Sequence, residues 1–163
     1  MSELPAGGWT FANPGAYRRA VDELEQAGQK AEAAALLAEA ERQFPDDPLI
    51  YIRRTYAIMA DDPETAAGRW STSRARFPQY MDGWVHGALL LENFGRRQAA
   101  SILLDDAVRR FPADVRVLTV RAYFAQRQDN WAEADAFWQM ILQENPENEE
   151  AIKGRENALR MRK

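Results

Sequence analysis

The chain has 163 residues, 46% of them hydrophobic and 28% charged, which suits one well-buried domain and gives no sign of disorder. Its 25 acidic and 21 basic residues leave a formal charge of −4, so no long-range field draws it to a phosphate backbone and nucleic acid is not an expected partner. It has no cysteine, which removes disulfides, thiolate nucleophiles and cysteine-bound zinc and fits a reducing, cytoplasmic setting.

The start, Met1 to Pro5, lacks a basic stretch followed by an apolar run, and nowhere do eighteen apolar residues follow one another. No membrane insertion is therefore expected. Arginine outnumbers lysine 18 to 3, a bias associated with GC-rich bacterial genomes. Residues 1–13 read as an N-terminal arm. Its Gly7-Gly8-Trp9-Thr10-Phe11 is too short and glycine-rich for a helix, and Trp9 and Phe11 are expected to cover the first hairpin.

Helix signals follow in order. Asn13-Pro14, Asp47-Pro48 and Asp62-Pro63 each set a capping oxygen before a proline at the first helical position, where a missing N–H costs nothing. Gly28 and Gly95 fall where first helices should end in left-handed backbone. These signals predict helices near 14–27, 30–43, 48–60, 63–76, 82–94, 97–110, 115–128, 131–144 and 148–162.

Proline recurs at 45, 78, 112 and 146, and alanine twelve residues before each, at Ala33, Ala66, Ala100 and Ala134. Both series step by 33, 34 and 34. Such a period marks stacked helical hairpins, because one two-helix unit cannot bury its apolar face alone. Other positions keep the same register. A large residue leads each first helix (Tyr17, Tyr51, Trp84, Leu118), and a smaller one follows at Val21, Thr55, Ala88 and Ala122. In the second helices Leu37, Trp70, Leu104 and Trp138 come four after the alanine, and Ala40, Ser73, Ala107 and Ile141 seven after.

This pattern across residues 14–146 resembles the tetratricopeptide repeat, TPR. The resemblance implies an all-α, right-handed superhelical solenoid of four helix-turn-helix hairpins (14–47, 48–80, 81–114, 115–147) and a polar capping helix at 148–163. There are two departures. The second copy is one residue short near Asp61-Asp62 and lacks the turn glycine. Where the family usually has leucine, three after the leading residue, this chain has Ala20, Arg54, Gly87, Arg121 and, in the last helix, Arg155. Those arginines are expected to lay their stems on neighbouring helices and keep their heads in water, the alternative being a carboxylate or carbonyl partner for each.

In this family the first helices line a concave, ligand-binding side. Carried over, its positions are Gly15, Arg18, Asp22 and Glu25, then Leu49, Ile52, Tyr56 and Met59, then Asp82, Val85, Leu89 and Glu92, then Arg116, Thr119, Tyr123 and Gln126. The stretch 49–59 is apolar on nearly all sides, as a helix facing water is not. The expected partner-binding groove is Leu49, Ile52, Tyr56, Met59, Val85, Leu89 and Tyr123, rimmed by Arg18, Asp82, Glu92 and Arg116. The same residues could instead be buried between hairpins or covered by the arm. The lysine and asparagine with which some family members grip a terminal carboxylate are replaced by Arg18 with Asp22 and Ile52 with Tyr56, so that clamp is not supported.

Nothing points to catalysis. His86 has no second histidine and no cysteine to work with. Asp46-Asp47 and Asp61-Asp62 sit at helix starts, where capping explains them, and Asp105-Asp106 falls on the expected wet face of a helix. Phosphate loop, nucleophile elbow and HExxH are all missing, and no metal or other cofactor is expected. The leading expectation is a non-enzymatic adaptor that binds another protein's helix or extended segment. The alternatives are the substrate-recognition arm of a fused or separate enzyme, such as a bacterial glycosyltransferase, and a self-assembling scaffold, so a homo-oligomer is possible.

Overall fold

A computed structural model describes residues 11–162. Among them are nine α-helices and no strand: α1 Pro14–Gln26, α2 Lys30–Gln43, α3 Pro48–Met59, α4 Pro63–Arg76, α5 Asp82–Asn93, α6 Arg97–Arg110, α7 Val115–Arg127, α8 Trp131–Glu144 and α9 Glu149–Met161. They fall into two compact units, Met1–Pro78 and Gln79–Lys163. Trp9, expected to help cap the first hairpin, lies outside the described residues; Phe11 packs edge-on to Tyr17 with ring centroids 5.0 Å apart.

Six of the nine helices start where a side chain satisfies an exposed backbone N–H group. Asn13, Asp47 and Asp62 accept from Ala16, Ile50 and Thr65, at 2.9–3.0 Å. Asp114, Asn130 and Asn148 cap α7, α8 and α9 in the same way, without a proline to advertise them. The prolines of the repeat end the second helices: Phe44, Phe77 and Phe111 each precede one and sit outside helical geometry, near φ −128°.

Three of the four turns within hairpins share one closure. Gly28 (φ 76°), Gly95 (φ 73°) and Asp129 (φ 56°) take the left-handed conformation. The next N–H then reaches back five residues, Gln29 to Leu24 O, Arg96 to Leu91 O and Asn130 to Ala125 O, at 2.8–2.9 Å. The short second turn has no left-handed residue; Asp61 and Asp62 both donate to Ile58 O, at 3.2 and 2.8 Å.

The repeat register is the core. Ala33, Ala66, Ala100 and Ala134, the large residues four after them and the residues seven after them are all buried, as are Val21, Thr55, Ala88 and Ala122. In the first unit Tyr17, Val21, Leu36, Leu37 and Ile50 form one cluster with Phe44 against it. In the second, Leu118, Ala125, Trp138, Ile141, Ala151 and Ala158 form another. Small residues let paired helices approach, and the larger ones fill the space between.

The arginines behave otherwise than expected. Arg54 Nε lies 2.8 Å from Glu41. Arg121, with a side chain only 6% exposed, holds Asp105 at 2.9 Å and Glu133 at 2.6 Å. Arg155 holds Asp135 at 3.0 Å. Each head has a carboxylate because a guanidinium this close to the core needs a counter-charge. Asp105 thus pairs with Arg121 while keeping 43% of its side-chain surface, and Asp106 pairs locally with Arg109.

Candidate functional site

In the first unit, α3 carries the apolar stretch. Leu49 is 40% exposed, Tyr56 and Met59 are half-buried, and Ile52 is buried at 5%. Tyr56 stands edge-on to fully buried Trp70, centroids 5.0 Å apart. Arg18 and Arg53 bridge α1 to α3. Arg18 reaches the cap Asp47 at 3.3 Å, and Arg53 takes Asp22 at 2.6 Å and Glu25 at 2.7 Å. The charged groove positions of the first copy are thus spent on cross-links within the chain.

In the second unit Val85 is buried and packs with Ala107 and Val117, while Leu89 is half-buried beside them. Glu92 holds Arg127 through both carboxylate oxygens, at 2.8 and 2.6 Å, joining α5 to α7. Arg116 is exposed, and Asp82 opens α5 one turn before His86. Burial holds the His86 imidazole below its ordinary value of 6.5; the Asp82 carboxylate opposes this and the Arg116 guanidinium adds to it.

Tyr123, on α7, is 37% exposed and stands edge-on to fully buried Trp138 at 5.0 Å, repeating the Tyr56–Trp70 pair. Its hydroxyl donates to Glu150 Oε1 at 2.9 Å. Burial and the Glu150 carboxylate push that phenol above its usual range. Beside it lies an open depression of about 540 Å³ lined by Tyr123, Gln126, Glu149, Glu150, Lys153, Gly154 and Asn157. Gln126 donates to Gly154 O at 3.4 Å across its floor.

The expected groove residues therefore split. Leu49, Tyr56, Met59, Leu89 and Tyr123 keep exposed surface, whereas Ile52 and Val85 are buried and cannot serve as free anchors. On the rim, Arg18 and Glu92 are already paired. The α9 wall of the depression was not anticipated from the sequence; its signal was Glu149, Glu150 and Lys153, which read as cap polarity. Among the described residues no His/Cys/Asp/Glu group could hold a metal, and no helix is long and apolar enough to cross a membrane.

A tetratricopeptide-repeat family model matches residues 14–59, the first hairpin and α3. Over those residues the chain matches the tetratricopeptide repeat, TPR. Solved structures of TPR proteins share its fold. One from Parabacteroides merdae superposes with TM-score 0.72 at 16% identity, covering 91% of this chain and 60% of that one. MamA from Desulfovibrio magneticus superposes with TM-score 0.68 at 16% identity over 94% and 93%. YrrB, described as a TPR protein with an unusual peptide-binding site, gives TM-score 0.67 at 12% identity over 88% and 74%. No curated protein matches this chain in sequence. It spans about three-fifths of the Parabacteroides protein's length.

Proposed function

We propose that this TPR chain is a non-catalytic adaptor that receives a helix or extended segment of another protein on its first-helix faces, in the cytoplasm. The observation that carries the reading is the twice-repeated tyrosine on a buried tryptophan, Tyr56 on Trp70 and Tyr123 on Trp138. Each tryptophan is fully buried, so each tyrosine is braced on its inner side and presents part of a flat, amphipathic surface outward. Such rigid aromatics lose little conformational entropy on binding and are typical anchors at protein interfaces. Leu49 and Met59 extend the first anchor with apolar surface; Gln126, Lys153 and Asn157 surround the second with polar groups suited to a peptide backbone.

Partner capture by wild type, Tyr56→Ala and Tyr123→Ala, with helicity and thermal midpoint followed in parallel, tests this. The expected result is capture lost from at least one variant at unchanged helical content. Full capture by both variants overturns the reading, and loss of folding together with capture assigns the tyrosines to the core.

A further inference from the structure

Among the hairpins, one register position of the first helix holds an arginine twice, Arg54 on α3 and Arg121 on α7, and the two have different partners. Arg121 uses its whole guanidinium. Its Nε donates to Asp105 at 2.9 Å, and its terminal nitrogens donate to the two oxygens of Glu133 at 3.2 and 2.6 Å. Arg54 uses only its Nε, 2.8 Å from Glu41, and its terminal nitrogens have no partner among the described residues. The side chain keeps 30% of its surface, so the planar fork is open.

The difference traces to Thr65. Glu133 is the third residue of α8, where its backbone N–H donates to the cap Asn130 at 3.3 Å. The same place in α4 is held by Thr65, whose N–H donates to the cap Asp62 at 3.0 Å and whose side chain carries no charge. α4 adds a cation instead. Arg69 Nη2 lies 2.6 Å from the second oxygen of Glu41, and its guanidinium sits 4.1 Å from the centre of the Tyr51 ring. Bonds to Thr55 Oγ1 and Tyr51 O, at 3.0 and 3.3 Å, fix it there. Two guanidiniums thus share one carboxylate and leave one positive charge, whereas Arg121 has two carboxylates to itself. Arg76, near the same ring, pairs with Asp46 and leaves that balance unchanged. A half-buried fork with excess positive charge selects a carboxylate, whose two oxygens match its paired N–H donors.

We propose that the Arg54 fork is a binding site for an aspartate or glutamate side chain of a partner protein, which takes the place that Glu133 fills beside Arg121. Arg69 acts as a positioning residue, holding Glu41 and supplying the uncompensated charge. The inference goes beyond the adaptor reading, because residues 54 and 56 point about 200° apart around α3 and the Tyr56 surface plays no part.

The probes are sodium acetate and two acetylated, amidated peptides that differ only in one glutamate or glutamine. Binding is followed by the Arg54 Nε–H resonance and by calorimetry at constant ionic strength. Acetate and the glutamate peptide should shift the resonance saturably, and the glutamine peptide should bind at least several-fold more weakly. Thr65→Glu, at an exposed position, should supply the carboxylate from within, raise the thermal midpoint and weaken binding of both carboxylate probes at least several-fold. Arg54→Gln should weaken binding to a similar degree at unchanged helicity. No saturable response to acetate or the glutamate peptide, equal binding of the two peptides, or binding that survives either substitution overturns the proposal. Tighter binding of inorganic phosphate than of acetate also overturns it and assigns the fork to a phosphate group.

Discussion

Trp138 lies against the bare backbone of Gly154: a Cβ there would come within 2.4 Å of Trp138 Cε2 and 2.8 Å of Cδ2. The indole is fully buried and cannot swing aside. Close approach of α9 to α8 therefore depends on a missing side chain, and the same tryptophan is the platform for Tyr123.

Gly154→Ala should accordingly destabilise the second unit by about 1–3 kcal/mol, the usual cost of overpacking, despite alanine's better helix propensity. Gly68, inside α4, has nothing within 4 Å of its would-be Cβ. Gly68→Ala should stabilise by about 0.5–1 kcal/mol. Denaturant midpoints of the two variants measured together check this, and equal signs would refute the packing account.

Most of the fold was legible in the sequence because one register encodes it four times. Each alanine, each large residue four positions on and each proline has a single physical job, and several copies report it together. Asp129 was harder to read, since the left-handed turn position that glycine fills in the first and third copies is held there by an aspartate. The Arg121 and Arg155 partners were also hidden: Asp105, Glu133 and Asp135 are surface-type residues, and only the crossing of the helices brings them to the guanidinium groups. Ile52 and Val85 failed as exposed groove residues because register gives direction around a helix but not how deeply a neighbour covers it.

Asp129→Gly should stabilise the chain by about 0.5–1 kcal/mol. Left-handed backbone costs an L-residue about 1–2 kcal/mol, and glycine gives back part of that gain through its freer unfolded state. Gly95→Ala, at φ 73°, should cost about 1 kcal/mol by the same logic. Thermal midpoints moving in opposite directions are the expected outcome; a destabilised Asp129→Gly would mean that the aspartate side chain supports the turn.

Arg121 predicts an asymmetry. Its head is almost wholly buried, while Asp105 and Glu133 keep 43% and 33% of their side-chain surface. Removing both carboxylates, as Asp105→Asn with Glu133→Gln, strands a buried cation and should cost about 2–4 kcal/mol. Arg121→Met leaves carboxylates that water can reach and keeps packing against Phe124 and Phe137, so it should cost less than half as much. Comparable losses from the two variants would show that packing, not charge, governs the site.

The pH dependence rests on His86. Burial depresses its folded pKa below 6.5, so the unfolded chain takes up a proton at higher pH than the folded one. Stability from this group is thus fully present above about pH 7 and declines as pH falls through 6.5 toward the folded value. Asp82 favours the imidazolium and Arg116 disfavours it; Asp82→Asn should therefore steepen the acid loss and Arg116→Gln flatten it. His86 is the one histidine of the chain, and imidazole is the side chain whose ordinary value lies between about pH 5.5 and 7.5. Thermal midpoints across that interval should fall for wild type and stay nearly level for His86→Gln. A variant that kept the wild-type slope would place the titrating group elsewhere.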